Sequence, residues 1–150
     1  WAESGCMETS VIIYEGNLRT RAMHLRSGDE ILTDAPPDNA GRGEAFSPTD
    51  LLASSLGSCM LTIMGIVAGR RKTNIDGTAV RITKIMAENP RRVGEIIVKV
   101  EFPARAYSSE EKWILENAAA TCPVAKSLHP DIRLTVTFAY QDGTEADAAG

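Results

Sequence analysis

Cysteine is scarce in this chain and occurs in no pattern typical of a disulfide framework. Only three cysteines are present, and no two of them form a CxxC pair. A secreted scaffold held together by disulfides needs more cysteines, and no signal peptide is visible, so we expect a cytoplasmic protein. Cys6 is set aside because Met7, which follows it, offers a native start. The chemistry of interest therefore falls on Cys59 and Cys122, which lie 63 residues apart.

Positive charge is also limited, which argues against a nucleic-acid-binding surface. The formal net charge is −4, and the basic runs at residues 70–72 and 91–92 are too short to form a basic stripe. Neither a GxSxG nucleophile motif nor a phosphate-binding glycine loop occurs. His24 and His129 have no recognised metal-ligand spacing with the cysteines. We therefore expect no metal and no cofactor.

Charge is absent altogether from 19 consecutive residues, Leu51 to Gly69. This length just suffices for a membrane span, but serine, threonine and glycine interrupt the stretch, so we expect a helix buried in protein and no membrane association. Because a helix that is apolar on all sides must be covered all round, we expect a homodimer with this helix near its centre. Small residues four apart would let two helices approach closely, and two such pairs occur, Ala53 with Gly57 and Gly65 with Gly69.

The rest of the chain alternates predicted strands and helices, which indicates an α+β fold with a mainly antiparallel sheet. The length of 150 residues fits a single domain over residues 1–150, with 1–9 and 142–150 disordered or derived from an expression vector. A loop rich in proline, glycine and aspartate at residues 34–43 is typical of the border of a functional site. Apolar runs between turn residues predict strands over Val11–Glu15, Leu18–Leu25, Ile31–Thr33, Thr78–Met86, Arg92–Phe102 and Ile132–Tyr140.

Capping residues mark where the predicted helices begin. Ser47 is a good N-cap, Pro48 fits the first helical position and Asp50 completes a capping box, so a helix should run to Gly69 or Arg70. A second helix should begin at Ser108 or Ser109, and a short third helix should follow Thr121 as its N-cap. The apolar face of the second helix is expected to comprise Trp113, Leu115, Ala118 and Ala119.

The reactivity of either cysteine depends on its thiolate. Cys59 lies about three turns into its helix, beyond the reach of the helix dipole, and burial would raise its pKa. A reactive Cys59 therefore needs a cation from another segment, whereas Cys122 lies at a helix start that favours an anion. A buried cysteine is also often only a small hydrophobic residue, and that interpretation stays open for both. The candidate cations for Cys59 are Arg19, Arg21, Arg26, Arg42 and His24.

The segments around the two cysteines resemble motifs that occur together in one protein family. FSPTDLLASSLGSCMLTIMGIVA is similar to the helix around the reactive cysteine of the OsmC/Ohr family, the osmotically inducible protein C and organic hydroperoxide resistance proteins. ATCPV, with Cys122, resembles the second-cysteine motif of that family. The similarity extends from about Ser10 to Tyr140. The resemblance implies an OsmC-like fold, with the sheet packed on a long central helix, in an intertwined homodimer.

The resemblance also implies a thiol-dependent peroxidase that acts in oxidative stress defence on organic hydroperoxides or hydrogen peroxide. Cys59 would be the peroxidatic cysteine, oxidised to a sulfenic acid, and Cys122 would resolve it to a disulfide. A dithiol reductant, in this family often a lipoylated protein, would restore both thiols. The family pairs its reactive cysteine with an arginine, for which we select Arg19.

One departure from the family concerns the glutamate that supports this arginine. Thr49 occupies the glutamate position, so the carboxylate would come from Asp50 or from Glu44. This pattern is closer to the OsmC-like branch than to the hydroperoxide-resistance branch. A second interpretation is therefore a catalytically weak dimer that senses redox state or binds a small ligand.

Overall fold

The computed structural model describes residues 7–141 and 145–147, which divide between two compact units, residues 1–51 and 52–150. Each unit contains one sheet, and helices follow and separate the strands, so the predicted α+β class is confirmed. The sequence predicts disordered termini. Of these termini, residues 1–6, 142–144 and 148–150 lie outside the described residues.

The first unit is built on a three-stranded antiparallel sheet with strands β1 (Ser10–Gly16), β2 (Arg19–His24) and β3 (Glu30–Asp34) in chain order. Asn17 and Leu18 join the first two strands and both have positive φ, 55° and 62°, as a two-residue hairpin turn of type I′ requires. Much of the sheet's apolar surface is exposed within one chain, including Val11, Ile12, Ile13, Tyr14, Met23 and Ile31. Its own unit therefore does not supply a full core.

The segment after β3 folds back on the end of that strand. It contains a single 3₁₀ turn at Pro37–Asn39, and the Gly43 N–H donates to the Ala35 carbonyl. Gly41 passes so close to Ala35 that a Cβ atom on Gly41 would lie 1.8 Å from the Ala35 carbonyl oxygen. Only glycine fits there, so the path of this loop is fixed by the sequence.

Helix α1 (Pro48–Arg70) has the predicted bounds and the predicted capping box. The Asp50 N–H donates to Ser47 Oγ and the Ser47 N–H donates to Asp50 Oδ2, both at 3.0 Å. These two bonds satisfy amide groups that the helix itself leaves unpaired.

Within the single chain only one stripe of α1 is covered, and the expectation that a partner subunit covers the rest of the helix stays a prediction. Leu52 and Ile66 on the opposite side are 39% and 47% exposed. Gly57 is part of the buried stripe, and a Cβ atom there would lie 2.9 Å from Val80, so this glycine serves contact with the sheet and not with a second helix. The buried residues follow helical spacing, Ala53, Leu56, Gly57, Met60, Met64 and Ala68.

The second unit has a four-stranded sheet in chain order, β4 (Ala79–Ala87), β5 (Arg92–Glu101), β6 (Arg133–Ala139) and β7 (Glu145–Asp147). Strands β5 and β6 are parallel, and the other neighbours are antiparallel. Alternate residues of β5, Ile96, Val98 and Val100, are fully buried and join the core cluster that contains the buried stripe of α1.

Helices α2 (Ser109–Ala119) and α3 (Pro123–Ser127) connect the two parallel strands. Ser108 caps α2, as predicted, and Glu111 completes its capping box. Trp113 is 66% exposed, so its assignment to the apolar face is wrong, because its helical position points away from buried Leu115. Thr121 is not the cap of α3 either, since its hydroxyl donates back to the Ala118 carbonyl and the N-cap position belongs to Cys122.

Among the described residues, α1 alone combines the length and the hydropathy of a membrane span, and 33% of that window is buried inside this chain. The buried stripe belongs to the protein core.

The exposed apolar side of α1 generates a prediction about assembly. We expect the chain to form a homodimer, because burying this face and the apolar surface of the first sheet would remove a large area from water. Thermal melting temperature should then rise with protein concentration, and sedimentation should give the dimer mass. Ile66→Glu should shift the protein toward monomer, whereas Ser127→Glu, which places the same charge on exposed α3, should not. A monomeric wild type whose melting temperature is independent of concentration would contradict the prediction.

Candidate active site

The second unit brings Cys59 and Cys122 into contact. Cys59 projects from the middle of α1, and Cys122 is the residue directly before α3. The Cys59 side chain is close enough to Cys122 to influence its thiol, and the structure has both as free thiols. The two cysteines that local sequence spacing could not relate are therefore neighbours.

The two thiols differ in their access to solvent. Cys122 is fully buried in the core cluster, and its Sγ lies 4.0 Å from the Leu56 carbonyl oxygen one turn before Cys59. Cys59 is only partly buried and packs against the outside of the same cluster. A small molecule arriving from solvent would therefore meet Cys59 first.

Burial raises the pKa of the Cys122 thiol above its ordinary value, and the neighbouring Cys59 raises that pKa further. The backbone N–H groups of Val124 and Ala125, at the start of α3, act in the opposite direction but do not outweigh burial. The helix start thus favours an anionic Cys122 as expected, but burial outweighs this effect, because a one-turn helix cannot compensate for the loss of water around the sulfur.

Reversible disulfide chemistry requires two neighbouring thiols, and here the thiol of Cys122 is buried and protonated while that of Cys59 is partly accessible. Within residues 7–141 and 145–147, no group of three or more histidine, cysteine, aspartate or glutamate side chains could hold a metal ion.

Arg19, the candidate arginine, lies in the first unit and is held by a carboxylate that sequence reasoning missed. Its Nε donates to Asp34 Oδ1 and its Nη2 to Asp34 Oδ2, both at 2.7 Å, which makes a bidentate pair. Nη2 also reaches Glu44 Oε1 at 3.2 Å, and the Glu44 backbone N–H donates to Asp34 Oδ2. Glu44 is thus a partner of Arg19, and it is one of the two carboxylates that the sequence analysis offered for this arginine.

Asp34 is fully buried, and its hydrogen bonds to Arg19 lower the pKa of its carboxyl. The same hydrogen bonds raise the pKa of Arg19. The pair therefore stays ionised through the neutral range. Since β2 and β3 pair Arg19 directly opposite Asp34, the sheet register itself places the two side chains together.

The other candidate residues have different neighbours. Asp50, the alternative carboxylate, accepts the Ser47 N–H in the cap of α1, and a catalytic role for it stays a prediction. Arg21 bonds two surface carboxylates, and the His24 ring bonds the Ser27 hydroxyl. Placement of Arg19 or any other cation beside Cys59 also stays a prediction.

The turns of the sequence do not reveal the place of Asp34. Counting outward from the predicted Ser27–Asp29 turn would bring residue 34 opposite residue 22, whereas the ladder of the structure begins at Met23 and Glu30 and brings residue 34 opposite residue 19. Asp34 is also the first residue of the predicted loop, which hides its place at the end of a strand.

Comparison with known proteins relates most of the chain to one group. The sequence model of the family described as OsmC-like protein matches residues 41–137. A solved structure from Psychrobacter arcticus, described as an osmotic-stress-induced and detoxification response protein, is 52% identical, with a TM-score of 0.85 over 91% of this chain and 97% of that chain. No curated protein matches the chain.

More distant solved structures share the fold. An organic hydroperoxide resistance protein OsmC from Legionella pneumophila is 13% identical, with a TM-score of 0.69 over 89% of this chain and 98% of that one. An organic hydroperoxide resistance protein from Vibrio cholerae, with captopril bound in one of its active sites, is 15% identical, with a TM-score of 0.68 over 94% and 96%.

The buried ion pair generates a prediction about stability and pH. Because the folded-state pKa of Asp34 is lowered, its ionised form stabilises the fold above the ordinary aspartate pKa of 3.8, and that stabilisation is lost as pH falls through the lowered value. Asp34→Asn should therefore be less stable than wild type at pH 7, and the difference should shrink toward pH 3. Urea unfolding at a series of pH values, at one protein concentration, measures this difference.

The matched control is Glu101→Gln, which breaks the exposed pair between Arg81 and Glu101, 2.8 Å apart. An exposed pair adds little to stability, so this variant should stay close to wild type. An Asp34→Asn variant as stable as Glu101→Gln at pH 7 would contradict the prediction.

Proposed function

This chain belongs to the OsmC-like protein family, and on that premise we propose that it is a thiol-dependent peroxidase that reduces organic hydroperoxides or hydrogen peroxide in oxidative stress defence. The observation that carries the proposal is the contact between Cys59 and Cys122, which come from distant parts of the sequence. Two relatives of similar fold are named for organic hydroperoxide resistance, which supports a peroxide as the oxidant.

In the proposed first step, the Cys59 thiolate attacks the terminal oxygen of the peroxide. A sulfur–oxygen bond forms, the oxygen–oxygen bond breaks, and the departing alkoxide or hydroxide takes up a proton. Cys59 becomes a sulfenic acid, and the peroxide becomes an alcohol or water. The partial exposure of Cys59 supports its assignment as the attacking residue, because Cys122 is sealed in the core.

In the proposed second step, Cys122 resolves the sulfenic acid. Its thiol loses a proton, its sulfur attacks Cys59, a disulfide forms and hydroxide leaves as water. A dithiol reductant then returns both residues to thiols by exchange and is itself oxidised to a disulfide.

The exposure difference between the thiols leads to a direct test of the proposal. In a Cys6→Ser background, which leaves only the contacting pair, turnover of cumene hydroperoxide with dihydrolipoamide should be measurable. Cys59→Ser should reduce turnover to the rate without protein, because no other thiol is accessible. Cys122→Ser should still consume about one equivalent of peroxide and accumulate a sulfenic acid that dimedone traps. Wild-type turnover no greater than that of Cys59→Ser would contradict the proposed function.

The raised pKa of Cys122 gives a prediction for the pH dependence of the second step. Because Cys122 must lose its proton to attack, disulfide formation after one equivalent of peroxide should accelerate as pH rises, and it should still accelerate above the ordinary thiol pKa of 9.0. Acid quenching followed by mass spectrometry separates sulfenic acid from disulfide at each pH. A rate that levels off below pH 9 would contradict the prediction.

A redox sensor is the second candidate function, and the burial of Cys122 is the observation that favours it. A resolving thiol with a raised pKa forms the disulfide slowly at neutral pH, and Thr49 replaces the family glutamate. A sensor would be oxidised once by peroxide and would show no sustained turnover with dihydrolipoamide, so the same assay distinguishes the two functions.

A further inference from the structure

Glu111 joins α2 to the segment that follows α1 through the two oxygens of one carboxylate. Its Oε1 accepts the Ser108 backbone N–H at 2.8 Å and completes the capping box of α2. Its Oε2 accepts the Thr73 hydroxyl at 2.9 Å, which is a bond to a residue 38 positions earlier in the chain. The start of α2 is therefore bonded to the helix end that lies beyond Cys59.

Thr73 is itself part of the closed end of α1. Its N–H donates to the Ala68 carbonyl at 2.9 Å, and the N–H of Lys72, which has a positive φ of 56°, donates to the Gly69 carbonyl. These two bonds form a Schellman motif, which holds Thr73 against the last turn of α1. A hydrogen bond to Thr73 is thus a hydrogen bond to the body of that helix.

The far end of α2 carries Cys122 to the middle of α1. Cys122 follows α2 in the chain, and its Sγ lies 4.0 Å from the Leu56 carbonyl oxygen, one turn before Cys59. Since the start of α2 meets the end of α1 and its far end meets the middle of α1, the two helices run in opposite directions. A displacement of α2 along α1 would therefore move Cys122 past Cys59.

We propose that Glu111 is a positioning residue for the disulfide step, because its bond to Thr73 fixes α2 along α1 and so sets how Cys122 meets the oxidised Cys59. This inference rests on the proposed function. In that step a sulfur–sulfur bond forms, the sulfur–oxygen bond of the Cys59 sulfenic acid breaks, and the oxygen leaves as water with the proton of Cys122. Glu111 acts only through the helix.

The apolar face of α2 needs such a directional constraint. Its buried side chains are Leu115, Ala118 and Ala119, and two short methyl groups offer little resistance to sliding along the helix axis. A hydrogen bond weakens steeply as its length and angle change, so it opposes that motion. A disulfide tolerates little misplacement, because its sulfurs must approach to about 2.05 Å with a restricted dihedral angle.

The chemistry of Glu111 suits this task. Hydrogen bonds from the Ser108 backbone N–H, and then from the Thr73 hydroxyl, lower the pKa of its carboxyl. The group therefore stays ionised at neutral pH, and bonds to an ionised acceptor are shorter and stronger than bonds between neutral groups.

Two nearby bonds do not constrain the helix in the same way. Glu110 pairs with Arg71 at 3.3 Å, but its side chain is 74% exposed, so water screens the pair. The Tyr107 hydroxyl donates to the Asn74 carbonyl at 2.7 Å, but Tyr107 lies before α2 and fixes the approach to the helix.

The experiment follows the fate of the sulfenic acid in the Cys6→Ser background. Thr73→Val removes the bond to Glu111 and leaves the capping box of α2 intact. After one equivalent of cumene hydroperoxide, disulfide formation should slow by about 10-fold, since misplaced reacting groups lose at least that much rate. Consumption of the peroxide should stay within about 2-fold of the parent, because Cys59 is held by the close packing of α1. Acid quenching with mass spectrometry separates the two steps.

Two matched variants distinguish positioning from a general loss of stability. Thr73→Ser keeps the hydroxyl and should restore the parent rate. Thr135→Val removes another threonine–glutamate bond of the same unit, 2.7 Å from Thr135 Oγ1 to Glu95 Oε2, and should leave both steps unchanged because it lies on the sheet. If disulfide formation in Thr73→Val is as fast as in Thr135→Val, the proposal is overturned. If Thr73→Val does not fold, Glu111→Gln decides, and a parent-like rate in that variant overturns the proposal.

A second readout needs no peroxide. Equilibration with reduced and oxidised glutathione measures how readily the thiol pair forms its disulfide. Thr73→Val should shift this equilibrium toward the dithiol by about 10-fold, because a helix free to slide lowers the effective concentration of one thiol at the other. Thr73→Ser and Thr135→Val should keep the parent value. An unchanged equilibrium constant in Thr73→Val would overturn the proposal.

The two readouts separate this proposal from the proposed function. If the parent protein shows no peroxide turnover but Thr73→Val shifts the glutathione equilibrium, the peroxidase fails and positioning by Glu111 stands. If the parent turns over peroxide and Thr73→Val matches it in both readouts, positioning is refuted and the peroxidase stands.

Discussion

The packing of one stripe of α1 onto the second sheet is the constraint on which the thiol pair depends. The stripe contains Leu56 and Met60, which flank Cys59 in the helix, and it joins the same core as buried Cys122. The absence of a side chain at Gly57 lets the helix approach β4. Since a close-packed core allows little displacement, the position of Cys59 relative to Cys122 follows from how the helix packs on the sheet.

The elements of the fold could be predicted where local chemistry decides them. The bounds of α1 follow from Ser47 and Pro48 at its start, and each strand except β7, which lies in the acidic tail, follows from an apolar run between turn residues. Features that depend on the direction of a side chain in three dimensions could not be predicted in the same way. Trp113 is apolar and helical, yet its exposure is set by which side of α2 packs on the core, and composition does not reveal that side.

In the candidate site, too, local motifs could be recognised in the sequence, whereas properties set by three-dimensional packing could not. The two cysteines were selected from their motifs, and the structure brings them together. The raised pKa of Cys122 could not be predicted, because the depth of Cys122 in the core is a tertiary property that outweighs the local effect of its helix. Asp34 was missed for a related reason, since its importance lies in its cross-strand position opposite Arg19 and in its complete burial.

The parallel pairing of β5 and β6 affects when the two sulfur atoms meet during folding. Parallel neighbours cannot be joined by a tight turn, so the chain must leave the sheet after β5 and return, and Cys122 is carried on that return path. Contacts that close such a long loop carry a large entropic cost and form slowly. Cys59 and Cys122 are themselves 63 residues apart, so we expect their contact to form late in folding for the same reason.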